Sequence, residues 1–472
     1  MVEASAWTLY DPPDHRLWQA DLALVHRGHI LALHRRSQLS FGKAEASQAC
    51  RGAPPPRLLA QWPSSDLKTA LLPLVRIRAI RAVLACTVER HTAILRDDLD
   101  KTVARVEAWL VQPDPASCRL WVTVEDLRGY ERERVAAAVA LVGRGWYEAE
   151  DDPFALFATE ILDIGQPVES GFPDGHKPAG QALRACLRQA LQSLPDLEKG
   201  VVDDIDTEFL HQYRVILRRA RSLVAQFRSV FPSKRAERIR SILGGWARCS
   251  NSQRDLDVWL LARSEHEALV PEQLRPGMEG LFRAIARDRA AVQRELAARL
   301  VSSAHRSERE ELLALLDLQD DGPDAALPLT ELARRRTWKT FRRAANQASL
   351  VNAATSSDAV HDVRIRCKKL RYMLDACGRF TAPDDHQKLR NQLKAVQAVL
   401  GEFNDACLQC RALLSRAESH RGDTATLLVL GALVGALDRN RASLHDQLLL
   451  GLGDLASPGT WSTYRSLFRT KD

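Results

Sequence analysis

The feature that most constrains the fold is an internal repeat whose two copies are offset by 150 residues. The segment FLHQYRVILRRARS (209–222) aligns without a gap with AVHDVRIRCKKLRY (359–372), and a histidine followed by basic residues occupies the same columns. An aspartate follows each histidine after 44 residues, at Asp255 and Asp405. Periods of about 20 to 50 residues mark solenoids, so this longer period predicts two homologous halves. We expect each half to be a helical bundle and the two to face each other about a pseudo-two-fold axis.

Both copies become amphipathic when they are placed on a helix. With about 100° between successive residues, the histidine and the cations of each copy fall within a sector of roughly 80°. Stripe 1 consists of His211, Arg214, Arg218 and Arg221, and stripe 2 consists of His361, Arg364, Lys368 and Arg371. Apolar residues occupy the opposite sides, namely Ile216, Ala220, Leu223, Val224 and Phe227 in the first copy and Leu370, Met373, Leu374 and Cys377 in the second.

The charges of the stripes separate two interpretations, a solvated polar face and an anion-binding surface. A solvated helix face normally mixes charges of both signs, because like charges three or four residues apart repel each other. Neither stripe has a carboxylate at the facing positions, and the pattern occurs twice. This favours anion binding. A third run, RRRTWKTFRR (334–343), places Arg335, Lys339, Arg342 and Arg343 on one side of its own helix.

Phosphate is the anion that best suits these residues. The guanidinium group matches phosphate oxygens in a bidentate manner. Nucleic-acid sites add stacking aromatic rings or base-reading amides, and the stripes have neither apart from Tyr372, which disfavours nucleic acid as the partner. The histidine of each stripe would donate hydrogen bonds or add charge near neutral pH; the alternative is a structural hydrogen-bonding role.

The chain is predicted to contain two domains of different fold class. Residues 1–162 are predicted to be α+β with a mainly antiparallel sheet, because 21–36 has the pattern of a hairpin and 100–110 and 118–126 alternate with the period of a strand. Residues 163–180 contain four glycines and three prolines, which predicts a linker. Helical spacing prevails over 181–472, which predicts an all-α domain with halves at about 181–325 and 326–472.

Composition restricts the cellular setting. The nine cysteines are odd in number and scattered, which favours a reducing, cytoplasmic compartment over a disulfide framework. The formal net charge of +7 and the isoelectric point near 9.0 hint at an acidic partner.

No secretory signal is visible. The longest apolar run, 425–437, is shorter than the about 20 residues that cross a bilayer, so a buried helix and no membrane association are predicted.

The paired stripes resemble the CHAD family, the conserved-histidine α-helical domain. The resemblance covers about 180–470 and rests on a histidine with arginine three residues on and basic residues at seven, eight and ten, present twice, together with RDLDV (254–258) and LGEFND (400–405). It implies two pseudo-symmetric helical halves around a basic groove or pore that binds inorganic polyphosphate, often on polyphosphate granules in bacteria. The predicted binding residues are His211, Arg214, Arg218, Arg219, Arg221, Arg335, Lys339, Arg342, His361, Arg364, Lys368, Lys369 and Arg371.

The N-terminal part resembles a CYTH domain, a frequent neighbour of CHAD. The segments YDPPDHRLWQADLALVHRG (10–28) and ILRDDLDKTVARV (94–106) carry this resemblance. It implies an antiparallel tunnel that holds triphosphate with basic side chains and a divalent metal with glutamates, whose signature strand E-x-E-x-K should stand before Tyr10. Here MVEASAWTL stands there, with Glu3 as its one carboxylate. We therefore expect the strand and its metal site, which needs several oxygen ligands, to be missing. Glu107 and Glu125 are interpreted as buried ion-paired or surface residues; the alternative is that they are remnants of the tunnel carboxylates.

The sequence as a whole predicts a non-enzymatic protein that binds polyphosphate through its helical domain, without a cofactor. One alternative is an inorganic triphosphatase acting through a CYTH-like domain, which would require a divalent metal. A less favoured alternative is a nucleic-acid-binding protein. An in-frame upstream extension encoding E-x-E-x-K would favour the enzyme. The N-terminal domain is otherwise expected to be degenerate or truncated.

Overall fold

The computed structural model describes residues 2–39, 44–50, 57–114, 117–125, 127–146, 152–162, 175–319, 321–377 and 383–469. The chain divides into two compact units, Met1–Val168 and Glu169–Asp472. Residues 163–174 of the predicted linker lie outside the described residues. The two units are described separately below.

The first unit is built on an antiparallel sheet. Its strands, in chain order, are β1 (Val2–Asp11), β2 (Leu22–Arg27), β3 (Ile30–Arg35), β4 (Ala46–Ala49), β5 (Arg81–Arg96), β6 (Thr102–Asp114) and β7 (Ser117–Glu125). They are ordered β4-β3-β2-β1-β5-β6-β7, and each neighbouring pair is antiparallel. The predicted hairpin is formed by β2 and β3, where Gly28 has a φ of +59° that glycine adopts readily. The prediction of an α+β antiparallel unit is confirmed.

A strand does stand before Tyr10, contrary to the expectation that it is missing. β1 lies at the centre of the sheet, between β2 and β5. The difference from the CYTH signature lies in residue type: counted from Glu3, the second glutamate and the lysine of that signature fall on Ser5 and Trp7. Since a strand depends on pairing and burial, it forms without the signature side chains.

An aromatic core covers one face of this sheet. The α-helices among the described residues of the unit are α1 (Arg16–Gln19), α2 (Asp66–Val75), α3 (Glu131–Val142) and α4 (Pro153–Leu162). Phe154 of α4 has its ring centroid 5.1 Å from that of Trp7 and 6.3 Å from that of Trp121. Trp7 in turn lies 6.1 Å from Trp109. These buried rings pack where the strands β1, β6 and β7 present their inward residues, so this part of the face is a filled core.

The second unit is built from α-helices joined by turns and short loops. Its helices are α5 (Ala179–Gln192), α6 (Leu194–Val202), α7 (Thr207–Gln226), α8 (Ser233–Cys249), α9 (Asn251–Leu261), α10 (Arg263–Leu269), α11 (Met278–Val301), α12 (Ser303–Asp317), α13 (Leu329–Ala348), α14 (Ser357–Cys377), α15 (Pro383–Ala417), α16 (Thr424–Leu455) and α17 (Pro458–Phe468). The all-α prediction is confirmed. The apolar run 425–437 forms the first part of α16, and none of the described helices is long and apolar enough to cross a membrane.

The pseudo-two-fold relation is visible in the backbone. The N–H of Ala179 donates to the carbonyl of Leu327 at 2.9 Å, and the N–H of Leu329 donates to the carbonyl of Lys177 at 3.0 Å. When each residue is exchanged for its counterpart 150 positions away in the other half, the first bond becomes the second. The two bonds flank an antiparallel bridge between Pro178 and Pro328. The helices that carry the stripes, α7 and α14, begin at positions that the same offset relates. The predicted symmetry of the two halves is therefore present.

The halves differ where α8 ends. In the first half α8 and α9 are separate helices with Ser250 between them, whereas in the second half α15 runs without a break through the equivalent position. Ser250 is fully buried, and its hydroxyl donates to the carbonyl of Ala247. One hydrophobic core contains side chains from both halves, so the halves fold around a shared interior.

Candidate anion-binding site

Stripe 1 is positioned by the cap and the apolar face of α7. The side chain of Asp206 accepts hydrogen bonds from the N–H groups of Glu208 at 2.9 Å and Phe209 at 3.3 Å, which starts the helix. Tyr213, Leu217, Ala220 and Val224 are buried at helical spacing. Burial of this face turns the stripe away from the core, and the same holds for α14, whose Leu370, Met373 and Leu374 are buried.

The two stripes meet where α7 and α14 pack against each other. Burial lowers the pKa of Arg364 and the pKa of Lys368, and the charge of Arg218 lowers both further. Because Coulombic influence falls with distance, Arg218 of the first stripe must lie close to Arg364 and Lys368 of the second. We call Arg214, Arg218, Arg364 and Lys368 the axial cluster. The structure thus brings the two predicted stripes together.

Arg214 is held by the junction between α8 and α9. Its Nη1 donates to the carbonyl of Ala247 at 3.1 Å, to Oγ of Ser250 at 2.8 Å and to Oδ1 of Asn251 at 2.8 Å. Its symmetry-related residue, Arg364, has no such junction because α15 is continuous. Arg214 therefore has a structural role in addition to its charge.

Two aspartates supply a counter-charge that the linear pattern of the stripes does not show. Arg364 Nη2 lies 3.5 Å from Oδ1 of Asp405. Burial raises the pKa of Asp255, the charges of Arg214 and Arg254 lower it, and the charge of Asp405 raises it again. The two aspartates of the repeat therefore lie near each other across the axis. The inference that the stripes lack facing carboxylates holds within each helix and is wrong for the folded protein.

Lys368 has the largest electrostatic perturbation in the axial cluster. Burial lowers its pKa to about 8, and Arg364, Arg218 and Arg371 lower it in the same direction, against the effect of Asp405. The positive charges around Lys368 thus affect its pKa more than the carboxylate of Asp405 does. An anion placed beside Lys368 would relieve this repulsion.

The two histidines occupy different environments. Nδ1 of His361 lies 2.5 Å from Oδ1 of the buried Asn404, which donates in turn to Asp405 at 3.3 Å. Burial lowers the pKa of His211, and the charge of Arg254 lowers it further. His211 is therefore mostly neutral at pH 7. The lowered pKa disfavours added charge at His211, and the structural hydrogen-bonding role fits His361.

The remaining predicted cations are exposed. Arg219 and Lys369 project to solvent beside the stripes. On α13, Arg335 pairs with Glu331 at 2.5 Å, while Lys339, Arg342 and Arg343 are exposed. Among the contacts of the described residues, none joins these α13 charges to either stripe. The third run is thus a separate basic face.

Sequence reasoning missed three arginines beside stripe 1. Arg254 on α9 influences His211 and Asp255, and Arg240 and Arg248 on α8 influence Arg221. Arg254 belongs to the RDLDV segment, which was a usable signal. Arg240 and Arg248 are two of several basic residues in α8, and nothing in the pattern of that helix singles them out, so their approach to α7 could be found only from the tertiary structure.

Several buried donor atoms of the site have no hydrogen-bond partner among the residues that the structure describes. They are Nη1 of Arg254, Nε of Arg364 and the hydroxyl of Tyr372. Buried polar atoms are normally satisfied, by protein, water or ligand. An anion with several oxygens would satisfy donors of this kind.

The carboxylates considered for the sheet unit are paired with arginines. Glu107 is buried and pairs with Arg90, and Glu125 accepts from Arg105 at 2.8 Å. This agrees with the interpretation of both as ion-paired residues. No group of three or more potential metal ligands occurs within the portion of the chain that the structure describes.

Comparisons with known proteins identify a known domain in the helical unit. The family model described as CHAD domain matches residues 181–414. Two uncharacterized proteins from two strains of Mycobacterium tuberculosis are each 26% identical over 269 residues, which is 54% of this chain and 49% of each relative. The chain therefore spans about half the length of these curated relatives.

A solved structure gives the same assignment of fold. The crystal structure of the CHAD domain from the plant Ricinus communis aligns with a TM-score of 0.51 and 21% identity, over 60% of this chain and 94% of that chain. The CYTH resemblance of the sheet unit stays a prediction. Given the symmetric helical halves, the two stripes meeting at the axis and the match to the family model, residues 181–414 of the helical unit form a CHAD domain.

Proposed function

We propose that the helical unit binds inorganic polyphosphate at the axial cluster and along the two stripes. The observation that supports this most directly is the local excess of cations. Arg218, Lys368 and Arg254 have no ion pair within the described part of the chain, and the two nearby aspartates pair with or face Arg214 and Arg364. A polyanion would neutralise the excess.

A ligand made of phosphate groups fits better than a nucleic acid. The unpaired donors are guanidinium and hydroxyl groups, which bind phosphate oxygens without reading a base. Phe209 and Tyr213 of the repeated segments are buried in the core. The guanidinium of Arg371 lies 5.5 Å from the ring centroid of the half-buried Tyr372. That face is therefore engaged by a cation, which argues against base stacking.

The CHAD domain over residues 181–414 supports the same proposal, since this domain is associated with polyphosphate binding in general. It also motivates a location on polyphosphate granules. A fluorescent fusion that stays diffuse in cells containing stained granules would contradict the granule location without affecting binding.

The proposal is tested by titrating the purified chain with long-chain polyphosphate at several salt concentrations. Each phosphate contact releases counterions, and by analogy with single-stranded nucleic acid the slope is about 0.7 per contact. With on the order of six to ten contacts, affinity should fall by roughly a thousandfold between 50 and 200 mM salt. Triphosphate and single-stranded RNA serve as competitors. An affinity that does not change with salt, or tighter binding of RNA than of polyphosphate, would overturn the proposal.

A further inference from the structure

Three arginines converge at the end of stripe 1 that is distant from His211. Arg221 of α7 faces Arg240 and Arg248 of α8, and the charges of both lower its pKa after the larger effect of burial. No carboxylate pairs with any of the three within the described residues. Three cations thus share a small surface without a counter-charge, which is unfavourable unless an anion joins them.

A glycine of α8 shapes this surface. Gly244 lies between Arg240 and Arg248 at helical spacing, and it is buried although both arginines are exposed. A Cβ placed at Gly244 would lie 3.3 Å from Nη1 of Arg248 and 4.0 Å from Nε of Arg221. Both guanidinium groups therefore lie over the helix backbone at this glycine. Glycine is less favourable than alanine inside a helix, and its lack of a side chain leaves room for the two guanidinium groups to lie close to the helix backbone.

The second half does not reproduce this arrangement. Arg240 corresponds to Arg390, which pairs with Asp375 at 3.1 Å. Gly244 corresponds to Lys394, and Arg248 corresponds to Ala398. The equivalent surface thus contains a carboxylate, has a lysine in place of the glycine and has alanine in place of one arginine. The convergence of unpaired arginines is a property of the first half.

We infer that Arg221, Arg240 and Arg248, the arginine platform, form a subsite that binds the extension of a long polyphosphate chain and so selects for chain length. This rests on the proposed function of the axial cluster. Arg221 belongs to stripe 1, and α7 rises about 10 Å between Arg214 and Arg221. Tripolyphosphate can occupy the axial cluster, whereas a longer chain continues along stripe 1 to the platform. The first half then provides the stronger end of an asymmetric site.

The test compares two double variants of the full chain with the wild type. Arg240→Gln with Arg248→Gln removes two platform charges and leaves the axial cluster intact. Arg390→Gln with Lys394→Gln makes the same charge change at the corresponding surface of the second half. Dissociation constants are measured for tripolyphosphate and for long-chain polyphosphate at one salt concentration, and circular dichroism confirms that each variant is folded.

The platform variant should bind long-chain polyphosphate roughly tenfold more weakly, since two partly exposed charge contacts are lost. Its affinity for tripolyphosphate should be unchanged, and the control should lose distinctly less affinity for the long chain. Equal losses for both ligands, or an equal loss in the control, would overturn the inference and leave the proposed function intact. Failure of the wild type to bind either ligand would overturn the proposed function, and the inference with it.

Discussion

Replacement of Arg218 or Lys368 by glutamine tests whether the two halves share one binding site. These residues are related by the pseudo-two-fold axis, and the charge of Arg218 influences Lys368 directly. A hydrogen bond to a charged group contributes about 1.5 to 3 kcal/mol. Solvent screening reduces this to about 1 kcal/mol or less for the exposed Arg218. We expect affinity for polyphosphate to fall about fivefold in Arg218→Gln and about tenfold or more in the partly buried Lys368→Gln.

Titration calorimetry separates the possible outcomes. A shared site requires lower affinity with unchanged stoichiometry in each variant, and the salt slope should fall by about 0.7 for one lost contact. Glutamine is a good helix former, so the helices should persist. Arg421→Gln, which removes an exposed arginine paired locally with Glu418, is the control for net charge. Halved stoichiometry with wild-type affinity would show two independent sites, and unchanged binding in both variants would refute the role of the axial cluster.

Three further outcomes are expected. Lys368, whose pKa is lowered to about 8, is charged below that pH and neutral above it, so the affinity for polyphosphate should weaken as the pH rises through this value. The Lys368→Gln variant should show a flatter pH dependence of affinity, and a pH profile identical to that of the wild type would count against the role of Lys368. Arg214→Glu should lower the free energy of unfolding by about 1 to 3 kcal/mol because it leaves the buried Ser250 junction without its donor, whereas Arg364→Glu should lower it less. Chemical denaturation measures both free energies, and equal losses would contradict the structural role of Arg214 at the junction. Purified protein with added magnesium should show negligible hydrolysis of triphosphate; turnover above about 1 per second that is lost in Glu107→Gln would reveal a working catalyst in the sheet unit.

The charge balance of the site illustrates how far the sequence could be taken. Helical periodicity correctly placed the cations of α7 and α14 on one face each, because that depends only on local geometry. It could not show that Asp255 and Asp405 lie opposite them, because those residues belong to other helices. The number of unpaired cations was therefore overstated in the axial cluster. It was understated at the platform, where Arg240 and Arg248 join Arg221.

The strand β1 shows a similar limit in the sheet unit. Its expected absence was argued from a missing family signature, but backbone pairing with β2 and β5 and burial of Trp7 and Leu9 are sufficient for a strand. A signature reports side-chain chemistry, whereas a strand requires pairing partners and a buried face.

By itself, the sequence determined the division into a sheet unit and a helical unit, the two-fold repeat of the helices and the residues of each stripe. These follow from hydrophobic periodicity and from the constant offset between the two copies of the repeat, both of which can be read along the chain. Only the tertiary structure decided that Arg218 lies beside Lys368, that Asp255 lies near Asp405 and that Arg221 and Arg248 approach over Gly244. The reason is physical: groups far apart in the sequence interact through space, and burial of the apolar faces of their helices, not the charges themselves, sets the distances between them.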